Sequence, residues 1–169
     1  MPVRSPSLLL PATLLLLLLG QVARADDTLR IGELSYLDRQ YMAQQRELLE
    51  DLTARNFGRR FNGQRSNDLQ LLQGLLDRGV VRNSQTRELQ AMGVVMGDLL
   101  VADLGLHWVV YQDSMGRTRA LRDGESDTYL FPVTMISRRR EVDNRTSVAE
   151  IYGKARDIVL DSRPPLPFQ

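Results

Sequence analysis

The chain has no cysteine, a single histidine (His107), a single tryptophan (Trp108) and a single lysine (Lys154). Without cysteine there is no disulfide framework, no thiolate metal centre, no cysteine nucleophile and no lipid-bearing cysteine after a leader, so stability has to come from an ordinary core. One histidine cannot build a His-rich zinc site, and the remaining ligands would all have to be carboxylates. No Gly-x-Ser-x-Gly elbow is present to pair His107 with a serine nucleophile. An excess of charge is also lacking. There are 22 basic and 21 acidic side chains, and phosphate-backbone binding needs a basic excess on one face, so nucleic acid is not an expected partner. No catalytic residue, metal or cofactor is expected.

The clearest signal is at the N-terminus. Arg4 precedes an apolar run over 8–19, and Val22-Ala23-Arg24-Ala25 offers a small-x-small cleavage site before Asp26. This pattern predicts a secretory signal peptide over 1–25. The run is 12 residues and contains Pro11, whereas spanning a bilayer takes about 20, so no permanent membrane anchor is expected after cleavage. Cleavage takes 25 of the 169 residues, leaves 144, and with Arg4 and Arg24 gone leaves 20 basic against 21 acidic groups, a net charge of −1. The expected location is periplasmic or secreted.

The mature chain is expected to be one α+β domain over 26–163, with an N-terminal helical part (26–83) and a helix-sheet-helix unit (84–163), followed by a Pro-rich tail at 164–169. Residues 26–32 are polar and are expected either to pair or to lie loosely at the surface. Ser35 with Asp38 three residues on predicts a capped helix whose stripe is Leu37, Tyr41, Leu48 and Leu52, with Gln44, Gln45, Glu47 and Glu50 in water, ending near Gly58. A polar loop over 59–67 leads to a helix over 68–78, capped by Ser66 or Asn67, with Leu69, Leu72, Leu75 and Leu76 inward. Ser84 is expected to cap an apolar helix running to 104. Gly93 and Gly97 within it each cost about 1 kcal/mol of helix propensity, which implies another element passing close by. From Leu106 the pattern turns to strand: 106–111, a turn at 113–116, and 117–122. A third strand is predicted over 129–139, at an edge because Pro132 has no amide to donate. Ser147 and Glu150 form a capping box for a C-terminal helix covering the sheet, with Val148, Ile151, Tyr152, Ala155, Ile158 and Val159 on one stripe.

The order Leu89-x-x-x-Gly93-x-x-x-Gly97-Asp98, then Gly105-Leu106-His107-Trp108-Val109, then Phe131-Pro132-Val133 before Arg138-Arg139-Arg140 resembles the bacterial family known as domain of unknown function 3806. The likeness covers about 84–156. It implies an α+β domain in exported bacterial proteins and supplies no activity.

Four groups carry possible chemistry. His107, beside Trp108 at a strand start, is expected to be structural rather than catalytic. Asp123, Glu125 and Asp127 alternate in a turn but miss the EF-hand spacing, so they are expected to sit in water. Arg138 and Arg140 would share one face of an edge strand and could hold an anion, a carboxylate-bearing partner or a lipid head group, although charges on an edge strand more commonly prevent sheet-to-sheet aggregation. Trp108 and Tyr111 could line a groove, although a tryptophan among valines is more commonly core. The candidate binding residues are Trp108, Arg138 and Arg140. The expected function is a non-enzymatic binding module of the cell envelope, with an unidentified protein or envelope component as partner; the alternative is an envelope hydrolase using carboxylates with His107.

Overall fold

The computed structural model describes residues 29–164. Its elements in chain order are β1 (Arg30–Glu33), α1 (Tyr36–Phe57), α2 (Arg65–Asp77), α3 (Thr86–Leu104), β2 (His107–Asp113), β3 (Gly116–Arg122), β4 (Tyr129–Leu130), α4 (Pro132–Met135), α5 (Ser137–Glu141) and α6 (Val148–Ser162). The four strands form one antiparallel sheet in the order β1-β2-β3-β4, and the class is α+β. The predicted leader at 1–25 and the tail from 165 lie outside the described residues.

The chain folds around α3. An unbroken run from Ala91 to Gly97 is buried, because α1, α2, α4 and α6 all pack on this helix. Gly93 and Gly97 form the notch expected of them. A Cβ on Gly93 would lie 2.3 Å from the Pro132 carbonyl oxygen, and one on Gly97 would lie 2.4 Å from the Trp108 ring. The helix stops at Gly105, whose φ of 70° is the left-handed conformation that closes a helix. The β2–β3 hairpin follows in register, Trp108 opposite Leu121 and Val110 opposite Arg119. Its two-residue turn is held by Asp113, which accepts from the amides of Met115 and Gly116.

Several expectations need correction. The sheet has a fourth strand: β1 pairs with β2, Ile31 opposite Tyr111. The predicted strand over 129–139 is a strand at Tyr129–Leu130 and helical from Pro132. Proline suits the first turn of a helix, where its missing amide is not needed. The buried positions beyond it, Val133, Ile136, Ser137 and Arg140, follow the helical repeat and not the strand's alternation. Arg138 and Arg140 therefore do not share an edge-strand face; on α5, Arg138 is exposed and Arg140 is buried.

The buried stripe of α1 is Asp38, Met42, Gln45, Leu49 and Thr53, one position on from the predicted leucines, and Leu37 is 70% exposed. α2 begins at Arg65 and α3 at Thr86, and neither has a side-chain cap. The two predicted caps that form are at Ser35, with its full box, and at Ser147, which accepts from the Glu150 amide. α6 lies against α2 and α3, with Ile158 on its exposed side. Its buried residues share one apolar cluster with Leu121 and Leu130 of the sheet.

Candidate functional site

Trp108 is half-buried with its ring against Gly97. Its indole N–H donates to Asp98 Oδ1 at 3.0 Å. Asp98 in turn accepts from Arg46 Nε at 2.6 Å and Nη2 at 2.8 Å. This triad ties α1, α3 and β2 together, with the indole N–H and both oxygens of Asp98 engaged, so Trp108 joins elements here. A cleft of about 200 Å³ opens beside it, lined by Glu50, Phe61, Asp68, Asp98 and Leu99 among others. Asp68 accepts from the amides of Asn62 and Gly63, which shapes the loop before α2.

His107 is exposed at the start of β2 and does not line that cleft. The acid it influences is Asp123, whose carboxyl is held below the usual range first by hydrogen bonds from Arg163 and also by the charges of Arg163 and His107. Arg163 grips both oxygens of Asp123 at 2.8 and 2.9 Å. The described residues thus do not bring the imidazole to a free pair of carboxylates.

A second polar knot sits at the far end of α3. Asp103 accepts from the Tyr152 hydroxyl at 2.9 Å and pairs with Arg65 and Arg156. Burial, and then the bond to Asp103, push the Tyr152 hydroxyl up to about 12.

Arg138 and Arg140 open onto different sides. Arg138 borders a hollow of about 390 Å³ with Arg117, Tyr111 and Phe131, the two rings standing edge to face at 5.2 Å. Arg140 borders another, of about 490 Å³, with Gln73, Asp77, Arg82, Asn83 and Arg145. Arg140 is 8% exposed. Its Nε is enclosed without a hydrogen-bond partner, and its Nη2 donates to the Thr146 carbonyl at a long 3.4 Å. No carboxylate among the described residues forms an ion pair with it. A guanidinium withdrawn from water is ordinarily matched by an anion, because an uncompensated buried charge costs several kcal/mol.

The turn that follows Arg140 is fixed by backbone. Asp143 closes α5 with φ 54°, the one positive φ among the described non-glycine residues. Its amide bonds to the Arg140 carbonyl, and that of Asn144 to the Arg139 carbonyl. Asn83 donates to Asp143 Oδ1 at 3.1 Å, joining the link before α3 to the same turn. Of the three arginines, the sequence singled out Arg140 alone. Arg82 and Arg145 were not legible as partners, because they lie 58 and 5 positions from it in separate loops.

The architecture is that of an α+β helix-sheet domain built on a glycine-notched helix. The model of the family described as domain of unknown function (DUF3806) matches residues 68–152, half of the chain, and the chain belongs to this family. Trp108, Arg82, Arg138, Arg140 and Arg145 all fall within the matched residues. No curated protein matches the chain. A crystal structure from Bacteroides thetaiotaomicron VPI-5482 has the same fold with a TM-score of 0.69 at 17% identity, over 76% of this chain and 47% of that one. The present chain thus matches about half the length of that protein.

Proposed function

We propose that the protein is an exported, non-enzymatic binding module of the cell envelope, and that the basin of Arg82, Arg140 and Arg145 is where it holds an anionic group of its partner. The observation behind this reading is the buried guanidinium of Arg140, which opens onto a surface hollow with no carboxylate pairing it. An arginine fork in that state is completed by an anion from outside. Export rests on the leader pattern of 1–25, and mature protein beginning at Asp26 is its expected product.

The test is cross-linking in intact cells followed by purification of the tagged protein. Wild type should carry an envelope component that the double variant Arg82→Glu/Arg145→Glu loses. Both side chains are at the surface, so the thermal midpoint should stay within a few degrees, as is usual for exposed substitutions. Equal recovery of the component by wild type and the double variant would rule the basin out as the contact.

A further inference from the structure

We infer that the group bound in the Arg140 basin is a phosphoryl group, either inorganic phosphate or the phosphate of a monoester. The inference rests on the binding-module reading above and gives it a ligand class. Arg140 offers a planar fork of five donors, one of them, Nε, enclosed and unused and another spent on a long bond. Carboxylates and phosphates are the acceptors whose oxygens match such a fork.

Two further guanidiniums line the same hollow and have little else to hold. The Arg82 side chain meets Gln85 Oε1 from its Nε at 3.4 Å, which leaves the fork end unengaged. Arg145 pairs with Asp143 at 3.7 Å, between side chains 80% and 70% exposed. An ion pair that wet contributes little, so Arg145 is available to an incoming anion. A planar carboxylate can satisfy one fork, whereas a tetrahedral phosphate presents oxygens in several directions and can meet three.

The one acid in the lining is Asp77, which is engaged by Gln73 Nε2 at 2.7 Å. Asp143 pairs with Arg145 from outside the lining, and three arginines against one acid leave the wall of the basin positive. At about 490 Å³, with Leu76 and Val81 in its wall, the hollow has room for more than the phosphate itself, since a water in liquid occupies about 30 Å³. A phosphate carried on an organic group fits that space.

Calorimetric titration of the mature chain with inorganic phosphate, glycerol 3-phosphate and acetate tests this. Both phosphates should bind saturably at pH 8, with acetate weaker by about tenfold or more. Affinity should fall several-fold at pH 5, below the second pKa of a phosphate monoester at about 6, where the monoanion of either phosphate dominates. Arg82→Gln/Arg145→Gln should weaken phosphate at least about tenfold, and Arg140→Lys, which keeps the charge but loses the fork, should do the same. Arg138→Gln, outside the basin, should leave it unchanged. Should Arg140→Lys fail to fold, the surface pair alone decides.

Co-sedimentation with phosphatidylcholine vesicles, with and without phosphatidic acid, distinguishes the sources. Binding to the acidic vesicles in preference to glycerol 3-phosphate assigns the phosphate to a lipid head group, and the reverse assigns it to a soluble molecule. Acetate binding as tightly as phosphate, or phosphate binding indifferent to the surface pair, overturns the inference. If no phosphate probe binds while Arg82→Glu/Arg145→Glu still loses its envelope component, the phosphoryl class fails and the binding module stands. If that component is retained as well, both fail.

Discussion

A carboxylate taken almost wholly out of water needs donors on several sides, and Asp38, 1% exposed, has them. The Ser35 amide donates at 3.0 Å and the Ser35 hydroxyl at 2.6 Å, while Arg117 and Arg119 reach it from β3, Arg119 Nη2 at 2.9 Å. Arg119 also lies over the Tyr41 ring at 4.1 Å. The helix cap at Ser35 is thus also the bolt between α1 and the sheet. The Arg117 hydrogen bond comes first, outweighing the opposing effect of burial; with the bonds from Ser35 it holds the Asp38 carboxyl far below the usual range. A depressed native value contributes stability that is complete above the unfolded value near 3.9 and is lost as pH falls through the native value. Asp38→Asn should therefore cost about 2 kcal/mol at pH 7, less than the roughly 3–5 kcal/mol of a fully buried pair, because Arg117 and Arg119 keep some contact with water. The gap between wild type and variant should narrow as the acid limb is approached. Urea midpoints at pH 7 and pH 2.5 check both statements, and a gap that widened in acid would contradict them.

At the scale of elements, the same substitution should have opposite signs on two helices. Gly93→Ala places a methyl group 2.3 Å from the Pro132 carbonyl oxygen and 2.8 Å from the Val133 Cα, both backbone atoms that cannot turn aside. The gain of about 1 kcal/mol in helix propensity is outweighed by an overpacking cost of about 3 kcal/mol. Gly153→Ala on α6 meets nothing within 4 Å and should stabilise by up to about 1 kcal/mol. Thermal midpoints of the two variants moving in the same direction would refute this account of the notch.

That notch was legible because a glycine pair on an otherwise apolar helix has few other uses. The segment it receives was not. Tyr129, Phe131, Val133 and Met135 alternate like a strand, while the competing helical set of Val133, Ile136 and Arg140 includes an arginine that reads as exposed. The stripe of α1 was misplaced for a similar reason. Its buried face carries Asp38, Gln45 and Thr53: Asp38 is matched by Ser35 and by Arg117 and Arg119 of β3, Thr53 by the preceding turn's Leu49 carbonyl, and Gln45 Oε1 is enclosed without a partner. Apolar periodicity cannot register a buried stripe in which three of five residues are polar.

Seen across the whole molecule, the residues matched by the family model and those that complete the core are not the same set. The match begins at Asp68 and ends at Tyr152, so it leaves out β1, α1, the first three positions of α2 and ten positions of α6. Met42 and Leu49 of α1 are buried at 1% and 0%, and Ala155 and Val159 of α6 at 2% and 1%. Met42 packs with Val94 and Val133, and Leu49 belongs to the main cluster around Met92 and Met96. Removing α1 would also leave Arg117 and Arg119 without Asp38, and Trp108 with half of its Asp98–Arg46 anchor. A fully buried Met, Leu or Val side chain contributes about 1.5–3 kcal/mol, so Met42, Leu49 and Val159 alone amount to a large share of the roughly 5–15 kcal/mol by which a domain is stable. A fragment limited to 68–152 should therefore lack a cooperative thermal transition, while 26–163 should unfold in one step. Trp108, the single tryptophan, lies where β2, α3 and α4 meet, so its fluorescence and the far-ultraviolet dichroism of the helices should change together in the longer chain. A sharp transition in the fragment at a midpoint close to that of 26–163 would mean that α1 and the end of α6 are appendages, and that the α3 notch with its sheet is stable unaided.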